Sequence, residues 1–202
     1  MPEGVLEHEY YPRKEFIAFH ARRERWACMI VHRRCGKTFA ALNDLLLHAF
    51  RTPNGRYADI APLYNQAKGI AWDLLKQCRP FLAHPPWEAE LRCDLWNGAR
   101  ISLFGADNPD RLRGLGFDGV ILDEFADMPP SLWGSVVRPA LADRKGYAVI
   151  IGTVRGRNNL WQAYERGRQD PAWFTALMRA SDTASRHCAT KCLCEPYHAP
   201  GG

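Results

Sequence analysis

The stretch VHRRCGKTFAAL, Val31–Leu42, decides the fold. It closes an apolar run, Trp26–Val31, that reads as a buried strand. It then opens a helical pattern over Lys37–Arg51, with Phe39, Leu42, Leu45, Leu46 and Ala49 on one face. Between them lies a short loop ending Gly36-Lys37-Thr38. A loop at the C-terminal end of a strand that runs into a helix N-terminus is a phosphate-binding geometry, because backbone N–H groups and the helix dipole face the anion. Residues Cys35, Gly36, Lys37, Thr38 and Phe39 would then wrap a polyphosphate, with the Lys37 ammonium on the β- and γ-phosphates and the Thr38 hydroxyl on Mg²⁺. The GxxxxGK[ST] pattern asks for glycine where the chain has Val31, which speaks against an ordinary nucleotide kinase or GTPase loop. The loop also carries His32, Arg33 and Arg34. Either arginine, aimed at the γ-phosphate, can act in cis as an arginine finger that stabilises charge developing in the transition state. The bland alternative is solvated guanidiniums or contacts with neighbouring acids.

A second stretch, GVILDEFADM, Gly119–Met128, ends an apolar strand in paired acids. Asp123 sits where a P-loop enzyme holds its magnesium, and Glu124 where one polarises the attacking water. Adjacent side chains on a strand alternate in direction, so Asp123 can face a metal while Glu124 faces water. A lone Asp-Glu pair is more often a solvated strand end. Following the loop above, and at the end of its own apolar strand, it points to hydrolysis of a phosphoanhydride.

The remaining chain supplies an α/β frame. Tyr57–Ala61 reads as a strand ending at Pro62, Asn65–Arg79 as a helix stopped by Pro80, and Glu90–Leu95 with Arg100–Phe104 as a hairpin about Asn97-Gly98. Turn-rich helix follows Pro130, Tyr147–Gly152 is a buried strand, and Asn158–Arg168 a last helix. Strands alternating with helices imply a mostly parallel sheet flanked by helices, with a site along its carboxyl edge. The 202 residues suit one such domain, and 47% hydrophobic with 24% charged residues is an ordinary globular balance. A net charge of +5 permits contact with nucleic acid without requiring it. An odd count of 7 cysteines, no signal peptide and no long apolar run fit reduced thiols in a cytoplasmic protein away from membranes.

Four blocks in order resemble the N-terminal ATPase domain of phage terminase large subunits: YYPRKEFIAFHARRERWACMIVHRRCGKT (Tyr10–Thr38), IAPLYNQAKGIAW (Ile60–Trp72), GADNPDRLRGLGFDGVILDEFADM (Gly105–Met128) and VIIGTVRGRNNLWQAYERG (Val149–Gly167). The resemblance implies a RecA-like P-loop NTPase of the ASCE class, using ATP and Mg²⁺ to move double-stranded DNA. It implies that Lys37 and Thr38 bind phosphate and Mg²⁺, that Asp123 helps hold the metal, and that Glu124 is the catalytic carboxylate with Arg33 or Arg34 as the cis arginine. Gly152-Thr153 resembles the family's coupling motif, with Val154 where proline is usual. Tyr11 to Phe19 resembles its adenine-contacting segment, which makes Tyr11 and Phe16 candidate nucleotide contacts. Arg111 and Arg113 are candidates for contact with DNA or phosphate. Portal protein, small terminase subunit and further copies in a ring are the partners the resemblance implies, in the cytoplasm of a bacterial host.

The family usually continues into a nuclease domain. Here the resemblance fades after residue 180, so residues 1–180 are expected to form the ATPase domain and 181–202 a disordered or non-native tail, as from an early stop or frameshift in a decaying prophage gene. The tail's Cys188, Cys192 and Cys194 lack the paired spacing of structural zinc sites, and no metal is assigned there. A helicase-like translocase and a non-catalytic remnant that binds nucleotide or DNA are the competing readings.

Overall fold

Seven strands, β1 (Trp26–Val31), β2 (Arg56–Ala61), β3 (Arg92–Asp94), β4 (Arg100–Gly105), β5 (Gly119–Leu122), β6 (Tyr147–Gly152) and β7 (Trp173–Met178), join one sheet in the order β3-β4-β2-β5-β6-β1-β7. All pairings are parallel except that of β3 with β4. This is a computed structural model, and it describes residues 10–78, 81–153 and 156–183. The helices are α1 (Lys14–His20), α2 (Lys37–Arg51), α3 (Tyr64–Ala67), α4 (Ile70–Gln77), α5 (Arg138–Ala140), α6 (Asn159–Gly167) and α7 (Ala180–Thr183).

The sequence shows apolar runs rather than alternation because the central strands are covered on both faces, as parallel strands require. Every residue of β1 and β5 is buried. Met29 and Val31 pack with Leu42, Leu45, Leu75, Ile121 and Ile151 beneath α2 and α4. Cys28 and Ile30 face the opposite layer, with Val120, Leu122, Ile150 and Leu160 beneath α6. Each large aliphatic side chain buried in this way contributes about 1.5–3 kcal/mol.

The mostly parallel, helix-flanked sheet is the one the sequence implies, and four elements depart from the reading in detail. The helix expected over Asn65–Arg79 is α3 and α4 with a break at Lys68-Gly69, since glycine leaves a helix at little cost. Its expected end at Arg79-Pro80 lies outside the described residues. The first hairpin strand is shortened to β3 because Leu91 takes a left-handed φ of 47°. The helix α1 and the edge strand β7 were not foreseen. β7 follows α6 closely and pairs with β1 along its whole length, so β1 is an interior strand of the sheet.

α1 is clasped to α2 by a buried ion pair. The Arg22 guanidinium donates to both carboxylate oxygens of Asp44, at 2.7 and 2.6 Å, and lies 4.2 Å from the centroid of the Phe19 ring. His20 Nδ1 lies 3.6 Å from the same carboxylate and its Nε2 is 2.8 Å from the Tyr10 hydroxyl. Burial alone would raise the Asp44 carboxyl, but the hydrogen bonds from Arg22 and His20 outweigh it and hold the group below its ordinary 3.8. The four described cysteines are free and buried. Among the described residues no helix is long and apolar enough to cross a membrane.

Candidate functional site

The chain leaves β1 at Val31 and turns tightly into α2. Arg34 at φ 61° and Gly36 at φ 86° are both left-handed, so glycine is the residue that closes the turn without strain. Two outside contacts hold the loop. The Arg13 guanidinium donates to the Cys35 carbonyl at 3.0 Å. The His32 ring lies between the Arg33 carbonyl, 2.7 Å from Nδ1, and the Thr183 hydroxyl, 2.6 Å from Nε2. A carbonyl only accepts, so Nδ1 donates to Arg33, while Nε2 is hydrogen-bonded to the Thr183 hydroxyl, which itself lies 3.2 Å from the Ala180 carbonyl. Thr183 is buried, and residues 181–183, read from sequence as the start of a tail, thus include a brace for the loop between β1 and α2. Residues 184–202 lie outside the described residues.

At the start of α2, Lys37 is nearly buried and its Nζ lies 2.8 Å from Glu124 Oε1. The Thr38 hydroxyl donates to Asp123 Oδ2 at 2.7 Å. The acids therefore do diverge. Asp123 faces the hydroxyl at the helix start, while Glu124 faces the lysine. Glu124 itself has a left-handed φ of 52°, a conformation that costs a non-glycine residue about 1–3 kcal/mol and is held by its neighbours. Its other oxygen accepts from the Thr153 N–H at 3.2 Å, and the Thr153 hydroxyl donates to the Val31 carbonyl at 3.1 Å. Thr153 thus ties the end of β6 to both Glu124 and the end of β1. Gly152 lets this happen, because a side chain there would meet Leu160 at 3.0 Å and the Glu124 backbone at 3.4 Å.

These groups border a cavity of about 600 Å³ between the sheet edge, α3 and the start of α4. Arg33 and Arg34 stand on its rim, both exposed, and among the described residues neither guanidinium is in an ion pair. Of the other expected nucleotide contacts, Tyr11 is exposed and Phe16 is buried in the core beneath α2, so neither borders this cavity. Cys35 is buried, its thiol raised by burial; its carbonyl accepts from Arg13, and it does not border this cavity. Phe39 packs at the edge of the core, 5.5 Å from Tyr10 between ring centroids. Arg111 lies 5.5 Å from the Tyr64 ring centroid, and exposed Arg113 pairs with Asp110 at 3.1 Å. Val154 and Arg155 lie outside the described residues.

Sequence reasoning missed two contributors. Asn159 donates from its side-chain amide to the carbonyls of Phe125 and Met128, fastening α6 to the segment after Glu124. Asp59, on β2, is 1% exposed and borders the cavity. Burial first, and then the nearby Asp123 charge, push its carboxyl well above 3.8. Asp123 is raised as well, chiefly by burial, against the opposing pull of Thr38 and Lys37. The signal for Asp59 was in the sequence: it is the lone acid in a strand that is otherwise apolar after Arg56.

The arrangement offers hard oxygen donors from Thr38 and Asp123 beside a lysine, a helix N-terminus and a carboxylate. Among the described residues no three His, Cys, Asp or Glu side chains converge as an all-protein metal cage. That suits magnesium, which keeps several waters and takes one or two carboxylates together with substrate phosphates.

Comparison with known proteins agrees with this frame. A family model described as the N-terminal region of the T4likevirus-type terminase large subunit matches residues 29–181. The terminase large subunit of Thermus phage G20c is 30% identical over 180 residues, covering 78% of this chain, and that of Thermus virus P23-45 is 29% identical over the same share. The chain spans 37% of the length of these curated relatives. Among solved structures, the large terminase ATPase domain of Thermus phage P74-26 superposes with a TM-score of 0.73 at 25% identity, covering 86% of this chain and 83% of that one. The large terminase of another thermophilic bacteriophage shares the fold, with a TM-score of 0.67 at 14% identity over 83% of this chain and 44% of that one.

Proposed function

The chain belongs to the terminase large subunit family, to its N-terminal region, and from that premise we propose that it binds Mg²⁺ and ATP, hydrolyses the γ-phosphate and couples hydrolysis to movement of double-stranded DNA. The observation that carries this reading is Glu124. A strained carboxylate gripped by the phosphate-loop lysine on one side and by the Thr153 N–H on the other is placed to exchange partners when a triphosphate enters. Structures of the second thermophilic phage's large terminase in complex with ADP and with ATP-gamma-S support a nucleotide on this fold.

Lys37 leaves Glu124 for the phosphates, to which a lysine brings a point charge. Glu124, released from the ion pair, orients the attacking water and takes its proton. Thr38 and Asp123 would hold Mg²⁺, whose charge would offset that of the triphosphate. Arg33 or Arg34 folds from the rim onto the charge that develops on the transferred group. Loss of the γ-phosphate lets Lys37 return to Glu124, and Thr153 passes that displacement to β1 and β6 through its bonds to Glu124 and the Val31 carbonyl. Portal protein, small terminase subunit and neighbouring copies in a ring are the partners that family membership supports, in the cytoplasm of an infected or lysogenic host.

Mg²⁺-dependent ATP hydrolysis by the purified chain, with and without double-stranded DNA and beside Glu124→Gln, tests the reading. Turnover that rises with DNA and vanishes in the variant is the expected result. Bound ATP with no turnover would leave a nucleotide-binding domain that depends on absent partners for chemistry. No binding at all would overturn the proposal in favour of a non-catalytic remnant, and strand unwinding would favour a helicase-like translocase.

A further inference from the structure

Asp59 has no place in the chemistry above, yet its position is unusual. Its Cα pairs in register with Ile121, two residues before Asp123, and on parallel strands such partners point to the same face. Asp59 and Asp123 therefore sit diagonally on the α2 face of the sheet, under the helix turn that carries Thr38. Asp59 is 1% exposed, and its Oδ1 has no hydrogen-bond partner. Its remaining surface borders the same cavity as Lys37, Thr38, Asp123 and Glu124. A buried carboxylate with an empty acceptor is unfavourable for the fold by itself, since burial removes water from it without replacing the lost hydrogen bonds. A carboxylate used only for packing would have its acceptors filled, as those of Asp44 are.

We infer that Asp59 is a positioning residue for the metal: its free oxygen accepts a hydrogen bond from a water in the hydration shell of Mg²⁺ held by Asp123 and Thr38. Magnesium retains several waters, and the protons of any that face the buried floor of the cavity need acceptors there. Asp123 and Thr38 already engage each other at 2.7 Å, so the acceptor must come from another element, and β2 supplies it. Outer carboxylates of this kind orient the metal's ligands, and their loss weakens metal binding by ~10–100-fold. The inference rests on the magnesium-nucleotide reading of the site.

The test is the magnesium dependence of nucleotide affinity, read with a fluorescent ADP analogue in EDTA and across a Mg²⁺ titration, for wild type and Asp59→Asn. Melting of the metal-free proteins is followed in parallel. The expected result is unchanged affinity in EDTA, a Mg²⁺ half-saturation raised at least ~10-fold, and a metal-free melting temperature equal to or above wild type. An unchanged half-saturation overturns the inference, whatever the melting temperature. If Asp59→Asn fails to fold, Asp59→Ser is measured the same way, and failure of both to fold shows that the fold itself requires the carboxylate and also overturns it. Wild type with no magnesium-dependent nucleotide binding would fell the parent reading as well, a result distinct from wild type that responds to magnesium beside a variant that responds equally.

Discussion

The helix α2 carries a buried or nearly buried charge at each of two places, and they are treated in opposite ways. Near its middle, Asp44 has both oxygens filled by Arg22, with side-chain exposures of 3% and 5%. At its start, Lys37 is paired with a carboxylate that is 38% exposed and carried on a left-handed backbone, two guanidiniums on the rim have no ion pair among the described residues, and Asp59 nearby keeps an empty acceptor. The Tyr147 hydroxyl beside the clasp is also unpartnered, but it is neutral and its burial costs less than that of a charge. The difference separates two uses of polar groups in one core. Where the role is to hold helix to helix, the charges satisfy one another within the fold. At the proposed nucleotide site the fold leaves partners loose or missing, as a site that its ligand completes would.

Mutations at the two places should therefore move different observables. The largest effect is expected at the rim. Replacing whichever of Arg33 and Arg34 reaches the γ-phosphate by alanine should slow turnover by about 10³–10⁵-fold. Affinity for ATP should change far less, and the melting temperature little, because both side chains are exposed and neither is in an ion pair among the described residues. Single-turnover hydrolysis beside equilibrium ATP binding separates the two arginines. Equal and small losses from both would remove the cis-finger role and weaken the contrast itself.

Arg22→Ala is the mirror experiment. It leaves the Asp44 carboxylate buried without its bidentate partner and should destabilise the domain by about 3–5 kcal/mol. At roughly 2–4 °C per kcal/mol for a chain of this size, thermal melting would show a drop of about 6–20 °C. Turnover per folded molecule, measured well below the transition, should stay near wild type. A fall in turnover at unchanged melting temperature would mean that the clasp serves the site and not the fold.

The two regions also differ in how far the sequence disclosed them. The meeting of Lys37 and Thr38 with Asp123 and Glu124 was legible because each group follows an apolar strand that ends at the same sheet edge. The central strands were legible because burial on both faces removes polar residues from them. The clasp was not, because Arg22 and Asp44 are ordinary surface types until α1 folds over α2, and nothing local marks their pairing. β7 escaped for a related reason: its residues are half-buried throughout, an edge position without clear alternation. Asp59 was visible as an acid within an apolar strand, but its meaning depends on the β2–β5 register, which only the sheet supplies.

Acid titration sharpens the contrast at moderate cost in stability. The Asp44 carboxyl lies below its ordinary 3.8 in the folded chain, so the unfolded chain binds a proton first as the pH falls. Its contribution is complete above about pH 5, declines as the pH drops through 3.8, and is lost below the folded value. Unfolding by denaturant at a series of pH values should show this decline in wild type and not in Asp44→Asn. A decline of the same size in both would assign it to other carboxylates.

The smallest effects test a segment that belongs to both regions. Asn158 caps α6 by accepting from the Trp161 N–H at 3.2 Å, and its neighbour Asn159 donates to the Phe125 and Met128 carbonyls at 2.7 and 3.0 Å. Each alanine variant should cost about 1 kcal/mol, one through a lost cap and the other through lost hydrogen bonds. Only Asn159 reaches the chain just beyond Glu124. Asn159→Ala should therefore also lower turnover several-fold by loosening the strained backbone of Glu124, the proposed catalytic carboxylate, whereas Asn158→Ala should leave it within error of wild type. If both variants lose stability and neither loses turnover, Glu124 is held by Lys37 and Thr153 alone, and α6 belongs with the clasp as framework.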